Sequence, residues 1–562
     1  MVVGFAAAMR GVKRGSLVLS GLVTKEAVDA TCQAADYSSP AKLYTPVTTL
    51  LTFLAQLLGS DGSCQQAVNG LIAERTAANQ SKCSADTGGY CKARKRLPEE
   101  VPWKLMRDAG RNVERQARAE QPANLTLCGR PVRVVDGSTD KIADTEANRA
   151  EYPLMSGLEP DLHYPIVRFL VIFSLAVGTV LDAAIRPYQG QGTGETAMLR
   201  ELAHVFEAGD VLLGDRCFAG YWDIAFWRKR GVDVVSRLPA SRPFDYRQGK
   251  RLGPHDYLMT WHKTQRPAWV DPAGAGDYPN SISIRVIKIK VPTRGFRVKQ
   301  LEVITTLLAP EQFPATEIAD LYRRRWQAEL NIRSLKTHLG MEQLRCKTPE
   351  LMRKEFATYL LAYNCVRRLA YEAAAAHNLQ PHQISFKHTL QSANEFFRRF
   401  HQCDFTTWLA NFLATLAEVQ VAYDVLCPKK NCGDGMLYQN PSVGMNALTW
   451  VSGLRDGDAT RANIVYSSGF LDQLAVQFGP GASFGVLAAY ALARWQQAGF
   501  ATTGGQSQML ARAQSALDAV TDAQGRVGQC SGEAGGMGDY STNFGNYLWA
   551  QAPAVAVDQI CC

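Results

Sequence analysis

Residues 321–340 read Leu-Tyr-Arg-Arg-Arg-Trp-Gln-Ala-Glu-Leu-Asn-Ile-Arg-Ser-Leu-Lys-Thr-His-Leu-Gly, and the reading of this stretch decides the fold. Its spacing predicts one long helix over residues 316–340, with Thr316 as N-cap and Gly340 as its stop. Tyr322, Arg325, Glu329 and Lys336 lie at offsets 0, 3, 7 and 14. At 100° per residue these fall within about 60° of one another. Leu321, Leu330, Ile332, Leu335 and Leu339 occupy other positions, so the polar stripe can face a sheet instead of water. A solvated helix face has the same polarity, and for any single residue that plainer reading stands. One acid between two bases is what a metal ligand beside phosphate clamps requires.

Upstream, the hydrophobic pattern changes to strands. Arg130–Val135 reads as a strand stopped by Asp136-Gly137-Ser138, and Pro165–Val177 and Val180–Pro187 as two more joined at Gly178. Glu195–Ala208 is an amphipathic helix, and Val211–Leu213 a short buried strand ended by Gly214-Asp215-Arg216. Tyr221–Arg230 is helical and Val232–Leu238 a strand, which gives the order βββαβαβ. Asp136 and Asp215 are therefore expected at strand ends, where a sheet edge holds a carboxylate rigidly. Taken alone, either reads first as a turn-forming Asp. Residues 240–310 alternate between Gly, Pro and Tyr punctuation and segments such as Ile282–Val291 and Leu301–Leu308, the pattern of a β-rich insertion. Helical spacing covers Val47–Leu58, Cys64–Ala77 and Leu105–Glu120 before the first strand. It returns at Thr348–Ala376 and over residues 386–420.

The stretch Tyr322-Arg323-Arg324-Arg325-Trp326-Gln327-Ala328-Glu329, continued to Lys336, has the Y-x2-R-x3-E-x6-K spacing of DDE transposases of bacterial insertion sequences. The chain resembles that family over roughly residues 20–420, with Asp136 in Val-Val-Asp-Gly-Ser-Thr and Asp215 in Leu-Leu-Gly-Asp-Arg as the other two acids. The resemblance implies an α/β fold: a ribonuclease H-like catalytic core (129–239 and 311–376) with a β-rich insertion (240–310). A helical DNA-binding domain (1–128) precedes it and a helical region (377–425) follows. It implies metal-dependent phosphoryl transfer at transposon ends and into target DNA, with Asp136, Asp215 and Glu329 as catalytic ligands of two Mg²⁺ ions and Mn²⁺ as a substitute. Tyr322, Arg325 and Lys336 would contact DNA phosphates. Trp326 matches an aromatic of the base-flipping region, and is equally readable as a core or interface Trp. Leu301–Leu308 lacks the second Trp used by family members that form hairpins. Arg216 and Arg237 are further candidates for phosphate contacts or for surface ion pairs. Double-stranded DNA and a homodimer on DNA are the implied partners.

The composition fits this reading and excludes others. Of 562 residues, 46% are hydrophobic and 20% charged, a globular balance that excludes a disordered or fibrous chain. No stretch approaches the roughly twenty apolar residues of a membrane span, and Val2–Met9 is too short, and unpreceded by basic residues, for a signal peptide. A cytoplasmic protein without a membrane partner is expected. Fourteen cysteines without a framework spacing read as reduced thiols. No G-x4-G-K-[ST], H-E-x-x-H or C-x2-C occurs, and Cys427-x4-Cys432 has no partner at zinc spacing.

One chain carries two compositions. Residues 426–562 hold 7 Lys+Arg and 9 Asp+Glu, a net of −2, which leaves +11 on residues 1–425. They also hold 19 of the 46 glycines. Phe478-Gly-Pro-Gly-Ala-Ser-Phe-Gly, Leu487–Trp495 and Phe544-Gly-Asn-Tyr-Leu-Trp-Ala-Gln resemble the C-terminal portion of glycoside hydrolases that cleave unsaturated glucuronyl or rhamnogalacturonyl units. The tail is therefore expected to be a fused, helical hydrolase-like fragment without a complete acid pair. The alternative to an active transposase is an inactive DNA-binding remnant fused to that fragment.

Overall fold

The run Val132-Arg133-Val134-Val135 opens a strand that does not stop at Asp136. In the computed structural model β1 spans Val132–Ile142. β2 (Ile166–Ser174) pairs with it antiparallel from Arg133 through Lys141. That ladder engages the backbone groups of Asp136, Gly137 and Ser138, and so overrides their local preference for a turn. Asp136 thus stands inside a strand, not at its end as the sequence predicts. β3 (Val180–Pro187) follows a turn whose Gly178 has φ +71°, and it pairs antiparallel with β2.

On the other side of β1, β4 (Val211–Leu213) and β5 (Asp233–Arg237) run parallel to it. The segment 240–310 is β-rich, as expected, and its strands extend the same sheet. β6 (Lys250–Gly253), β7 (Asp256–His262), β8 (Ser281–Lys290) and β9 (Gln300–Thr305) are successive antiparallel neighbours, and β9 pairs antiparallel with β5. The order is β3-β2-β1-β4-β5-β9-β8-β7-β6, and β10 (Gln343–Leu344) lies parallel to the far end of β1. The described residues run from 23 to 420, without 60, 78, 82, 121–125, 155–163, 240, 241, 243, 291–299 and 399–404. The tail expected to be a hydrolase-like fragment, 426–562, therefore lies outside them.

Helices α1 (Lys25–Ala34), α2 (Pro46–Leu57), α3 (Cys64–Ala77), α4 (Gly88–Arg96) and α5 (Glu100–Glu120) precede the sheet. α6 (Glu146–Glu151), unanticipated in the sequence, joins β1 to β2. α7 (Glu195–Glu201) and α8 (Tyr221–Lys229) occupy the expected positions, although α7 gives way to a 3-10 turn at Leu202–Val205. The long helix predicted over 316–340 is broken. α9 (Ala315–Arg324) and α10 (Trp326–Arg333) meet at Arg325, and a π turn over Ser334–His338 follows. Its N-cap is Pro314 and not Thr316, whereas Gly340, at φ +77°, ends it as expected. α11 (Pro349–Ala376), α12 (Phe386–Arg398) and α13 (Phe405–Glu418) complete the described chain, and Thr348 caps α11 by accepting from Leu351 N.

The sheet has a core on each face. Val134, Phe169 and Phe173 share one with Met106 of α5, Ala328 and Ile332 of α10 and Phe356 of α11. Val135, Leu170, Ile172 and Leu212 share the other with Met198 and Leu199 of α7 and Trp222 of α8. Asn364 of α11 locks the first face: its Nδ2 donates to Met106 O and Val180 O, each at 2.9 Å, and its Oδ1 accepts from Val180 N at 2.7 Å. Gly110 lets α5 approach so closely that a Cβ there would lie 2.0 Å from Val180 O.

Candidate active site

Strand alternation sorts the site between the two faces. Val134 packs with α10 and Val135 with α7, so Asp136, Ser138 and Asp140 fall on the α10 side and Gly137 on the α7 side. Val134 is the register partner of Leu213 on β4. Asp136 and Asp215 each lie two residues further along neighbouring chains whose strands sit about 5 Å apart. Beyond Leu213 the chain leaves the sheet at Gly214. Asp215 caps the 3-10 turn Arg216–Phe218, its Oδ1 accepting from Cys217 N at 2.7 Å, and Ser236 Oγ donates to Asp215 O.

The third acid reaches Asp136 from α10. Burial pushes the Asp136 carboxyl up to about 7; Arg325 opposes the rise, and Glu329 and Glu195 add to it. Arg325 Nη2 donates to Glu329 Oε1 at 2.6 Å. Tyr322 is buried, and burial raises its phenol against the pull of Arg325 and Arg237, with Asp215 adding to the rise. Tyr322, Arg325, Arg237, Asp136, Asp215 and Glu329 are thereby gathered in one electrostatic neighbourhood. Trp326 is half-buried as the first residue of α10, and Arg216 is exposed on the turn after Asp215.

Lys336 is held differently. The π turn alters the register that a uniform 100° projection assumes, and Lys336 Nζ donates to Thr139 O at 2.7 Å and Ser138 Oγ at 3.3 Å. It also pairs with Asp140 Oδ1 at 3.2 Å. The Asp140 side chain is 0% exposed, and burial pushes its carboxyl up to about 7 against the pull of Lys336. The Lys of the predicted clamp is therefore tied to the strand bearing the first acid.

Sequence reasoning missed Glu195. This first residue of α7 lies over Gly137, where an added Cβ would sit 2.6 Å from the Glu195 carboxyl carbon. Burial raises its carboxyl, and Asp215 adds to the rise. Cys217 Sγ lies 3.6 Å from Glu195 Oε2. The available signal was Gly137 itself, since a glycine inside a strand marks a close approach.

Asp136, Asp215 and Glu329 offer carboxylate oxygens, and this chemistry fits a hard divalent cation. Among the described residues no three His, Cys, Asp or Glu side chains stand close enough together to hold a metal as they are, and Glu329 is paired with Arg325. No described helix is long and apolar enough to cross a membrane.

Residues 127–365 match the family model of the transposase DDE domain. The transposase InsG for insertion sequence element IS4 of Escherichia coli (strain K12) is 27% identical over 265 residues, 46% of this chain and 57% of that protein. The chain thus spans little more than half the length of that curated relative. The transposase for insertion sequence element IS421 of Escherichia coli is 40% identical over 60 residues, 11% of this chain and 16% of that protein. Among solved structures, the cryo-EM piggyBac transposase synaptic complex with hairpin DNA is 10% identical, covers 74% of this chain and 85% of that one, and has a TM-score of 0.34. Through the family match over 127–365 and its likeness to InsG, the chain resembles the DDE transposases of insertion sequences.

Proposed function

We propose that this chain is a DDE transposase that cleaves DNA at transposon ends and transfers the freed strand into target DNA. The observation that carries the reading is the register of β1 with β4, in which Asp136 and Asp215 each follow two residues after the paired Val134 and Leu213, with Glu329 acting on Asp136. The sheet order β3-β2-β1-β4-β5, parallel over β1, β4 and β5, supports a ribonuclease H-like core over 129–239 and 311–376. In this reading residues 1–128 bind DNA, 240–310 are an insertion and 377–425 a supporting helical region. The protein works in the cytoplasm as a homodimer on double-stranded DNA, and 426–562 form a fused fragment.

Bound Mg²⁺ would supply nucleophile activation and stabilisation of the leaving oxygen. The chain's own groups prepare for it. Asp136 would hold the cation with Asp215 and Glu329, and burial pushes its carboxyl up to about 7 in the cation-free chain. To hold the cation Glu329 would give up its pair with Arg325, whose guanidinium fork would then be available to a DNA phosphate. Tyr322, which feels the charges of both Arg237 and Asp215, would donate with Arg237 to the same phosphate.

The test is incubation of the full chain with DNA carrying the ends of its element, with Mg²⁺ or with EDTA. Cleavage and strand transfer should appear only with the cation. Binding without cleavage would assign the inactive DNA-binding remnant instead.

A further inference from the structure

We propose that Glu195 is a fourth carboxylate of the cation site, reaching it from the sheet face opposite Glu329 through the gap that opens where β4 ends. The inference rests on the transposase reading above.

Three features of the backbone create the gap. β1 continues to Ile142, β4 stops at Leu213, and Gly214 turns the chain out of the sheet. β1 is therefore without a strand partner on that side from Val135 to Asp140, between its last pair with β4 at Val134 and its first with β10 at Lys141. Glu195 stands over this bare segment, and only the missing side chain of Gly137 admits its carboxyl. The Cys217 backbone N–H holds Asp215 while its thiol contacts Glu195, so one turn aligns both acids. Asp136 feels the Glu195 charge, and Glu195 feels that of Asp215. Neither Arg325 nor Lys336, the basic groups of the α10 side, is bonded to Glu195, and Arg168 of β2 offsets only part of the crowding there. A cation between Asp136 and Asp215 is what relieves this crowding.

The consequence is measurable without DNA. Mn²⁺ titration of the full chain, followed by calorimetry and by electron paramagnetic resonance of free Mn²⁺, should show about a 10-fold weaker affinity for Glu195→Gln. The Mn²⁺ concentration giving half-maximal end cleavage should rise by a similar factor. Gly137→Ala should reproduce both effects, because its Cβ displaces the same carboxyl. Glu195→Asp, which keeps the charge, should retain part of the affinity and so separates ligation from folding. Thermal melting without metal checks each variant. Unchanged Mn²⁺ affinity and metal dependence in Glu195→Gln, alongside an Asp136→Asn variant that binds no Mn²⁺, would overturn the proposal and leave the transposase reading intact. A wild-type chain that neither binds Mn²⁺ nor cleaves would overturn the reading first, and this proposal with it.

Discussion

β1 and β4 begin alike and end differently. Each is an apolar run followed within two residues by an acid, they are paired in parallel, and their acids share a level. β1 nevertheless continues six residues past Asp136, whereas β4 stops before Asp215. The cause is the neighbour. β2 pairs with β1 throughout, and Lys336 and β10 secure its far end. β4 is paired with β5 only through Leu213↔Val235 before Gly214 turns away. Asp136 is consequently fixed by a ladder and left without a cap bond to a following turn, while the Asp215 carboxylate is the cap of its own turn. One acid is rigid and crowded; the other is satisfied and carried by local structure.

The largest effect tests what the two acids share. Alanine at Asp136, Asp215 or Glu329 should lower end cleavage on the order of 10³-fold or more, as loss of a catalytic group does. DNA affinity should stay within a few-fold, since it derives mainly from phosphate contacts elsewhere. Cleavage and filter-binding assays on the same preparations decide it, and an active Asp215→Ala would break the equivalence.

Next comes the far end of β1. Lys336→Ala strands the buried Asp140 and should cost about 2–3 kcal/mol at pH 8, somewhat less than a fully buried pair because Lys336 is partly exposed. Asp140, with its carboxyl near 7, is neutral at pH 5, so the cost should fall by about half there. Denaturant melts at the two pH values measure this. A salt slope for DNA binding that drops by about one unit, with stability unchanged, would instead make Lys336 a phosphate contact.

The crowding of Asp136 predicts a smaller, opposite change. Its folded carboxyl titrates near 7, against about 3.9 when unfolded, so folding takes up a proton between those values and stability falls as pH rises through them. Asp136→Asn removes that burden. It should stabilise the metal-free protein by about 1–2 kcal/mol at pH 8, allowing for partial exposure, with the gain gone below about pH 4. Asp215→Asn should shift stability by less than about 0.5 kcal/mol at either pH, because Asn caps a turn as well as Asp does. Equal shifts for the two variants would erase the contrast between the strands.

Much of this was legible in the sequence, and the failures share a cause. Cys64–Ala77 and Val180–Pro187 have the predicted bounds because local periodicity and their flanking residues agree. Val211–Leu213 was readable because Gly214 and Asp215 do form the turn they favour. Asp136-Gly137-Ser138 has the same turn chemistry, but pairing with β2 is a contact between distant residues that no local pattern contains. The break at Arg325 and the π turn were hidden for a similar reason. They satisfy Lys336's bonds to β1, and sequence spacing alone projects a uniform helix. Glu195 escaped because its neighbours in the site are 58 residues before it in one case and 20 after it in the other, at Gly137 and Asp215.

The π turn over Ser334–His338 also bears on how this region can change over time. A π turn holds one more residue than the α turn it replaces, so it acts as a length adjustment between Glu329 and Lys336. Removing one residue there would restore a regular helix with the later side chains on the faces they now occupy, whereas removing one from α10 would turn every later side chain by about 100°. The second deletion would carry Lys336 away from Thr139 and Asp140 and bring β10 to β1 out of register. The π turn is thus a place where this region can change length, and α10 is not.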